Sequence, residues 1–220
     1  MDLLNPILDL LFPPKCPFCG RVVDRLSICP DCQGKISWTG GPEVVRREGK
    51  DFCCAAPLWH EGLAREAVLR FKFHGGRDTA RLLGELVGRC AAEELGGEFD
   101  TVTWVPVSPR RLRSRGFDQA ELLARGACRL WDTEPVRLLV KTTENEAQSG
   151  IRDHARRRAN VLGVYDLAPG AEVKGKRVLL IDDVCTSGAT IKECARVLRG
   201  GGAQSVVCAA LAHARGKKKV

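Results

Sequence analysis

The strongest chemical signal in the chain is a strand that ends in two acids and a hydroxyl-rich turn. Residues 177–181 predict a short buried strand, Asp182 and Asp183 follow it, and a helix is predicted over 189–198. Backbone N–H groups at the start of a helix have no intrahelical partner, so they can surround a phosphate at the positive end of the helix. The predicted phosphate-binding turn consists of Val184, Cys185, Thr186, Ser187, Gly188, Ala189 and Thr190.

The residue types in this segment suit two different parts of a ligand. Gly188 allows the backbone to approach closely, and the hydroxyls of the turn can donate further hydrogen bonds. Asp182 and Asp183 would repel a phosphate that they faced directly. They are better suited to accept hydrogen bonds from vicinal hydroxyls of a sugar, or to help hold Mg²⁺. A capped helix after an acidic strand end is the alternative without a ligand.

A second segment combines a proline-punctuated turn with a run of arginines after a predicted strand at 101–105. Because a planar guanidinium can bind two phosphate oxygens at once, we expect a mobile loop that closes over a pyrophosphate. Taken alone, the run fits a nucleic-acid patch almost as well. Lys72 and Lys141 are weaker candidates for phosphate contacts. The turn residues are Pro106, Val107 and Ser108, and the arginines are Arg110, Arg111, Arg113 and Arg115.

Four cysteines near the N-terminus form two Cys-x2-Cys knuckles, Cys16 with Cys19 and Cys29 with Cys32. Two knuckles supply the four sulfurs of a closed tetrahedral Zn²⁺ site, which leaves no position for water and is therefore structural. An iron–sulfur cluster also takes four cysteines, but the ribbon-like spacing favours zinc. The other cysteines outside the turn are expected to be buried thiols, namely Cys53, Cys54, Cys90, Cys128, Cys194 and Cys208.

The elements that must position these residues alternate along the chain. Strands alternating with helices predict an α/β domain with a mainly parallel sheet. Three parts are expected: an N-terminal helix and four-cysteine module over 1–40, a linker over 41–51 and the α/β domain over 52–220. The further predicted helices span 62–73, 78–95 and 118–131, and the further predicted strands span 53–59, 136–140, 161–167 and 205–211.

The composition restricts the class of protein. The chain has 220 residues, 44% hydrophobic and 28% charged, which is typical of a soluble globular protein. No run reaches the roughly 18 apolar residues of a membrane span, and the first residues do not read as a signal peptide. We therefore expect a cytoplasmic protein whose 11 cysteines are free or bind metal. The net charge of +8 fits phosphate-bearing partners, including nucleic acid.

The acidic strand end and its turn resemble the signature of type I phosphoribosyltransferases, which bind 5-phosphoribosyl-1-pyrophosphate (PRPP). The resemblance implies that Asp182 and Asp183 contact the ribose hydroxyls and that the following turn holds the 5-phosphate. Ser187 stands where the family more often has Thr. The arginine run would correspond to the pyrophosphate-contacting turn and a flexible loop, with Arg113 and Arg115 beside the acids as candidate catalytic residues.

The chain as a whole is similar to the ComF family (the ComFC/GntX group). Shared segments are Leu10-Leu-Phe-Pro-Pro-Lys-Cys16-Pro-Phe-Cys19-Gly, Leu69-Arg-Phe71-Lys72-Phe73, Arg115-Gly-Phe117-Asp-Gln119, Glu146-Ala-Gln148-Ser149-Gly150 and Arg158-Ala-Asn160-Val161. Membership implies a zinc ribbon fused to a phosphoribosyltransferase-type domain, Mg²⁺-dependent PRPP binding, and a role in competence, DNA processing or nucleotide metabolism. The resemblance leaves open whether the chain is a transferase or a non-catalytic, single-stranded-DNA-binding module that uses PRPP as a regulatory ligand. It also leaves open whether Gln148–Gly150 line the pocket and whether competence proteins are partners.

Overall fold

The structure is a computed structural model that describes residues 13–39, 53–73, 76–97, 99–143 and 162–215. Its helices are α1 (Pro30–Gln33), α2 (Gly62–Phe73), α3 (Ala80–Glu94), α4 (Pro109–Arg115), α5 (Gln119–Cys128) and α6 (Ala189–Gly200), with 3₁₀ turns at Gly76–Thr79 and Arg129–Trp131. Its strands are β1 (Cys54–Ala55), β2 (Leu58–Trp59), β3 (Thr101–Trp104), β4 (Leu139–Lys141), β5 (Tyr165–Leu167), β6 (Arg177–Cys185) and β7 (Ser205–His213).

Five strands form a parallel sheet in the order β1-β7-β6-β3, with β2 also paired to β7. β3 pairs with β6 from Thr101–Val178 to Trp104–Ile181, so both strands end at the same edge of the sheet. The predicted α/β class with a mainly parallel sheet is confirmed. β4 and β5 form a separate antiparallel pair.

The sheet is covered on both faces because side chains alternate along each strand. On β6, Leu179 and Ile181 pack in one core cluster with α2, α3 and α5, whereas Val178 and Leu180 pack in the other with α6. α3 and α5 touch through glycines: a methyl group added to Gly84 would lie 2.5 Å from the Leu123 carbonyl oxygen. This close contact fixes the position of α5 over the sheet.

Several predicted elements differ in extent from those observed. The arginine run is a short helix, α4, and not a loop, because Ser108 accepts a hydrogen bond from the Arg111 N–H and Pro109 starts the helix. Gly116 ends it at φ 75°. β6 continues through both acids to Cys185, and the strand predicted over 53–59 is two short strands interrupted at Ala56 and Pro57. β4 and β5 cover only parts of the strands predicted over 136–140 and 161–167.

Some predictions fall outside the described residues. These are the N-terminal helix, the linker over 41–51, and the loop of Gln148, Ser149 and Gly150. Of the cysteines expected to be buried, Cys54, Cys128, Cys194 and Cys208 are, whereas Cys53 and Cys90 are only partly buried. Among the residues that the structure describes, no helix is long and apolar enough to cross a membrane.

Candidate functional site

The two acids lie where β6 reaches the carboxyl edge of the parallel sheet. The Asp183 carboxylate accepts a hydrogen bond from the Lys72 ammonium at 2.8 Å, and both side chains are largely buried. The Asp183 backbone N–H donates to Asp182 Oδ1, also at 2.8 Å. Lys72, at the end of α2, is thus a direct partner of a predicted site residue rather than a peripheral candidate.

Burial and the charge of Asp183 set the electrostatics of the acid pair. Loss of hydration, followed by repulsion from Asp183, raises the pKa of Asp182 well above its usual value. Burial and the neighbouring cations of Lys72 and Arg65 lower the pKa of His60, which lies near the same ion pair. The pair therefore consists of one carboxylate matched by an ammonium and one acid that resists ionisation.

The turn after the acids forms a small open cleft at the start of α6. Gly188 is the residue before the helix and has φ 71°, in the left-handed region where a glycine is favoured. The Ser187 hydroxyl accepts a hydrogen bond from the Ala189 N–H at 3.4 Å, so Ser187 supports the turn from its side. The cleft brings an acid of the strand end together with residues of the predicted phosphate-binding turn. Its lining consists of Asp182, Val184, Cys185, Thr186, Gly188, Ala189, Thr190 and Ile191.

The arginines of α4 divide into two groups. Arg115 donates to Gln119 Oε1 at 2.9 Å, and its guanidinium lies 4.9 Å from the centroid of the Phe73 ring. Burial lowers the pKa of Arg115, and the charge of Asp183 opposes this effect, which places the guanidinium within electrostatic reach of the acid. Arg110 and Arg113 are exposed, and Arg111 is partly buried. Lys141, the other weak candidate, lies in β4 over the Tyr165 ring at 5.5 Å.

Asp118 connects the Pro106–Val107–Ser108 turn to α5, a role that the motif analysis missed. Its Oδ2 accepts a hydrogen bond from the Val107 N–H at 2.9 Å. Its Oδ1 accepts from the Ala120 and Glu121 N–H groups, so the same carboxylate caps the helix. Burial raises the pKa of Asp118, although these three hydrogen bonds oppose that shift. An aspartate at the first position of a predicted helix is a recognised capping signal and could have identified this role.

The next residue, Gln119, is fully buried, and its Oε1 accepts the hydrogen bond from Arg115. The motif analysis also missed this contact. Gln119 is the first residue of α5 and Asp118 is its N-cap. Both residues therefore connect the start of α5 to α4 and the turn before it. The start of α5 therefore supports the Pro106–Val107–Ser108 turn and Arg115 of α4.

The four cysteines of the two knuckles come together as predicted. Their sulfurs all lie within 4.8 Å of one another, and four sulfurs at about 2.3 Å from a central Zn²⁺ are about 3.8 Å apart, so the set fits zinc. Gly20 turns the first knuckle with φ 76°, and the Cys29 N–H donates to the Cys16 sulfur. Burial opposes ionisation of Cys16, but backbone N–H groups led by that of Cys29 outweigh it and lower its pKa to about 7.

Comparison with known proteins matches both parts of the chain. The family described as "Double zinc ribbon domain" matches residues 7–66, and the one described as "Phosphoribosyl transferase domain" matches residues 128–220. The described residues of the zinc ribbon range contain one four-cysteine cluster, that of Cys16, Cys19, Cys29 and Cys32.

Three curated proteins are similar over most of their length. Competence protein ComFC of Streptococcus pneumoniae is 28% identical over 225 residues, with 87% of this chain and 96% of that protein covered. Competence protein ComFC of Bacillus subtilis is 27% identical over 192 residues, covering 87% and 74%. DNA utilization protein YhgH of Salmonella typhimurium is 26% identical over 210 residues, covering 87% and 86%.

Proposed function

The chain is a ComF-family protein, a zinc ribbon followed by a phosphoribosyltransferase-type domain, and on this premise we propose that it binds PRPP with Mg²⁺ at the end of β6. The observation that carries the proposal is the cleft in which the N-terminus of α6 lies beside Asp182, with Asp183 the next residue of β6. A phosphate and a polyhydroxylated ring in one ligand match these two neighbouring surfaces.

The 5-phosphate occupies the turn. The first N–H groups of α6 point out of the helix start, and the helix dipole favours an anion there. Gly188 lets the backbone approach, while the hydroxyls of Thr186 and Thr190 lie on the cleft wall. The acids then face the ribose, where carboxylate oxygens accept hydrogen bonds from the 2- and 3-hydroxyls.

Pyrophosphate lies on the side of Arg115. This guanidinium is held by Gln119 and by the Phe73 ring, so its position is set before a ligand arrives. Arg110, Arg111 and Arg113 lie on the same short helix and add positive charge around it. Mg²⁺ would reach the site with the pyrophosphate and neutralise part of its charge, and the carboxylate oxygens of Asp182 and Asp183 are donors that suit this ion.

This arrangement suits displacement of pyrophosphate from the anomeric carbon by an acceptor such as a nucleobase nitrogen, which bonds to that carbon as the bond from the carbon to the pyrophosphate oxygen breaks. That step builds positive charge on the ribose and negative charge on the leaving group, and it needs no protein nucleophile. Fixed cations on the pyrophosphate, acids beside the electron-poor sugar and exclusion of water lower its barrier. We therefore propose a phosphoribosyltransferase-type reaction, with Arg115 stabilising the leaving group.

Calorimetric titration with PRPP and Mg²⁺ tests the proposal. The Asp182→Ala/Asp183→Ala variant should lose binding, because both the ribose contacts and any cation ligands are removed. Asp166→Ala/Glu172→Ala removes the same number of acidic charges from exposed positions and should bind as the unchanged protein does. Equal PRPP affinity in the first variant and the unchanged protein would refute the assignment. Pyrophosphate release with a panel of nucleobases then tests turnover.

A second candidate function is binding of single-stranded DNA, with PRPP as a regulatory ligand. It is favoured by the exposure of Arg110 and Arg113 on α4, by the net charge of +8 and by similarity to proteins named for competence and DNA utilization. DNA binding of this kind weakens steeply with salt, in proportion to the phosphates neutralised. Arg110→Gln/Arg113→Gln should reduce the salt slope measured with labelled DNA. A slope unchanged by that variant would remove these arginines from the interface.

A further inference from the structure

The last turn of α2 contacts both the zinc ribbon and the candidate PRPP site. Four consecutive residues each make a different contact. The Arg70 guanidinium donates to the Phe18 carbonyl, Phe71 packs against Phe117 with ring centroids 6.2 Å apart, Lys72 pairs with Asp183, and the Phe73 ring lies under Arg115. A single helical turn therefore joins two parts of the molecule.

On the ribbon side, the contact reaches the first knuckle itself. Phe18 lies between Cys16 and Cys19, and its side chain is fully buried in the core cluster that also contains Phe71. Arg70 thus contacts the backbone between the two cysteines of the first knuckle, whose sulfurs lie within 4.8 Å of each other.

On the site side, two contacts depend on where the helix ends. Lys72 reaches Asp183 at 2.8 Å, and Phe73, although 59% exposed, supports the Arg115 guanidinium at 4.9 Å. The first is a hydrogen-bond distance and the second a cation–π distance, and both kinds of contact become weaker when the groups move apart. A shift of the last turn would therefore change the acid and the arginine together.

We propose that Arg70 is a positioning residue that couples the zinc knuckle to the PRPP site through the last turn of α2. Metal in the ribbon fixes the Phe18 peptide, Arg70 fixes the helix end against it, and Lys72 and Phe73 then hold Asp183 and Arg115. This inference rests on the proposed function. Because coupling between two binding sites is reciprocal, zinc raises the affinity for PRPP and PRPP raises the affinity for zinc by the same factor.

The test measures both affinities in the full-length chain. PRPP affinity is measured by calorimetry with Mg²⁺, and zinc affinity by competition with a chromogenic chelator, with and without saturating PRPP. Arg70→Met removes the donor to Phe18 and keeps much of the apolar stem. Arg65→Met is the matched control, because it removes the same charge from an exposed position of the same helix. Arg70→Lys restores a single donor.

In the unchanged protein, PRPP should raise zinc affinity about fivefold or more, the lower end of typical coupling between sites. Arg70→Met should lose that coupling and bind PRPP correspondingly more weakly, Arg70→Lys should recover part of both, and Arg65→Met should match the unchanged protein. Coupling that is absent from the unchanged protein, or retained in Arg70→Met, refutes the inference while PRPP binding itself stands. No PRPP binding by the zinc-loaded unchanged protein refutes the proposed function and this inference with it. If Arg70→Met does not fold, the zinc competition in the unchanged protein decides.

Discussion

Replacing Asp182 with asparagine should stabilise the protein and weaken its binding of PRPP. The substitution keeps the shape of the side chain and the oxygen that accepts the hydrogen bond from the Asp183 N–H. It removes a charge that is costly in the folded state, because the carboxyl has lost much of its hydration and lies beside that of Asp183. The residue is thus expected to serve ligand binding at the expense of stability.

The magnitude and the pH dependence follow from the raised pKa. Each unit by which folding raises a pKa corresponds to about 1.4 kcal/mol of differential free energy. Above the unfolded value of 3.8, the folded protein retains the Asp182 proton longer than the unfolded chain does, so stability falls as the pH rises through the folded pKa. The Asp182→Asn protein does not lose stability in this way, because its side chain does not ionise. We expect its free energy of unfolding to exceed that of the unchanged protein by about 1.4 kcal/mol for each pH unit between 3.8 and the folded pKa, and to match it below pH 3.8.

Urea unfolding at several pH values measures this difference, with Asp166→Asn as an exposed control that should change little. PRPP affinity, measured in parallel at the highest pH of the series, where Asp182 is most ionised, should fall roughly tenfold to a hundredfold, since a hydrogen bond to a charged acceptor contributes about 1.5–3 kcal/mol. An Asp182→Asn protein that is no more stable at pH 7, or whose advantage does not depend on pH, would refute the electrostatic reasoning.

Three further substitutions test how the site is positioned. Gly188→Ala should lower the free energy of unfolding by about 1–2 kcal/mol and weaken PRPP binding, because the residue has φ 71°; unchanged thermal unfolding would contradict this. Asp118→Ala removes the acceptor for the Val107 N–H and the cap of α5, so we expect the free energy of unfolding to fall by about 1–2 kcal/mol and the Kd for PRPP to rise. An unaltered Kd would contradict this expectation. Gly84→Ala should cost about 1–3 kcal/mol in chemical denaturation, since its methyl group would meet the Leu123 carbonyl oxygen; full stability would mean that α3 and α5 separate easily.

The sequence predicts best those elements whose signals are local. The helix predicted over 62–73 is observed at Gly62–Phe73. Its apolar residues recur at helical spacing, so the signal lies within the segment itself. The cysteine knuckles likewise carry their whole signal in their spacing. The prediction of a mobile loop at the arginine run is wrong although the signal is local, since Ser108 and Pro109 are ordinary helix-starting residues.

The remainder depends on contacts between distant residues. β6 extends past Ile181 because Asp182, Val184 and Cys185 pair in register with β7, although aspartate has a low intrinsic preference for strands. Lys72 and Asp183 are 111 residues apart, and Arg70 and Phe18 are 52 apart, so no motif reveals either pair. The separate antiparallel pairing of β4 with β5 is equally non-local. Sequence patterns thus indicate the chemistry of the site, while the pairing of Lys72 with Asp183 is visible only in the fold.

A crystal structure of the zinc-loaded protein with PRPP and Mg²⁺ tests the central claim most directly. The proposal predicts the 5-phosphate within hydrogen-bonding distance of backbone N–H groups between Thr186 and Thr190, with the ribose hydroxyls on Asp182 and Asp183. PRPP bound elsewhere, or bound with its pyrophosphate in this turn and its ribose away from the acids, would contradict it.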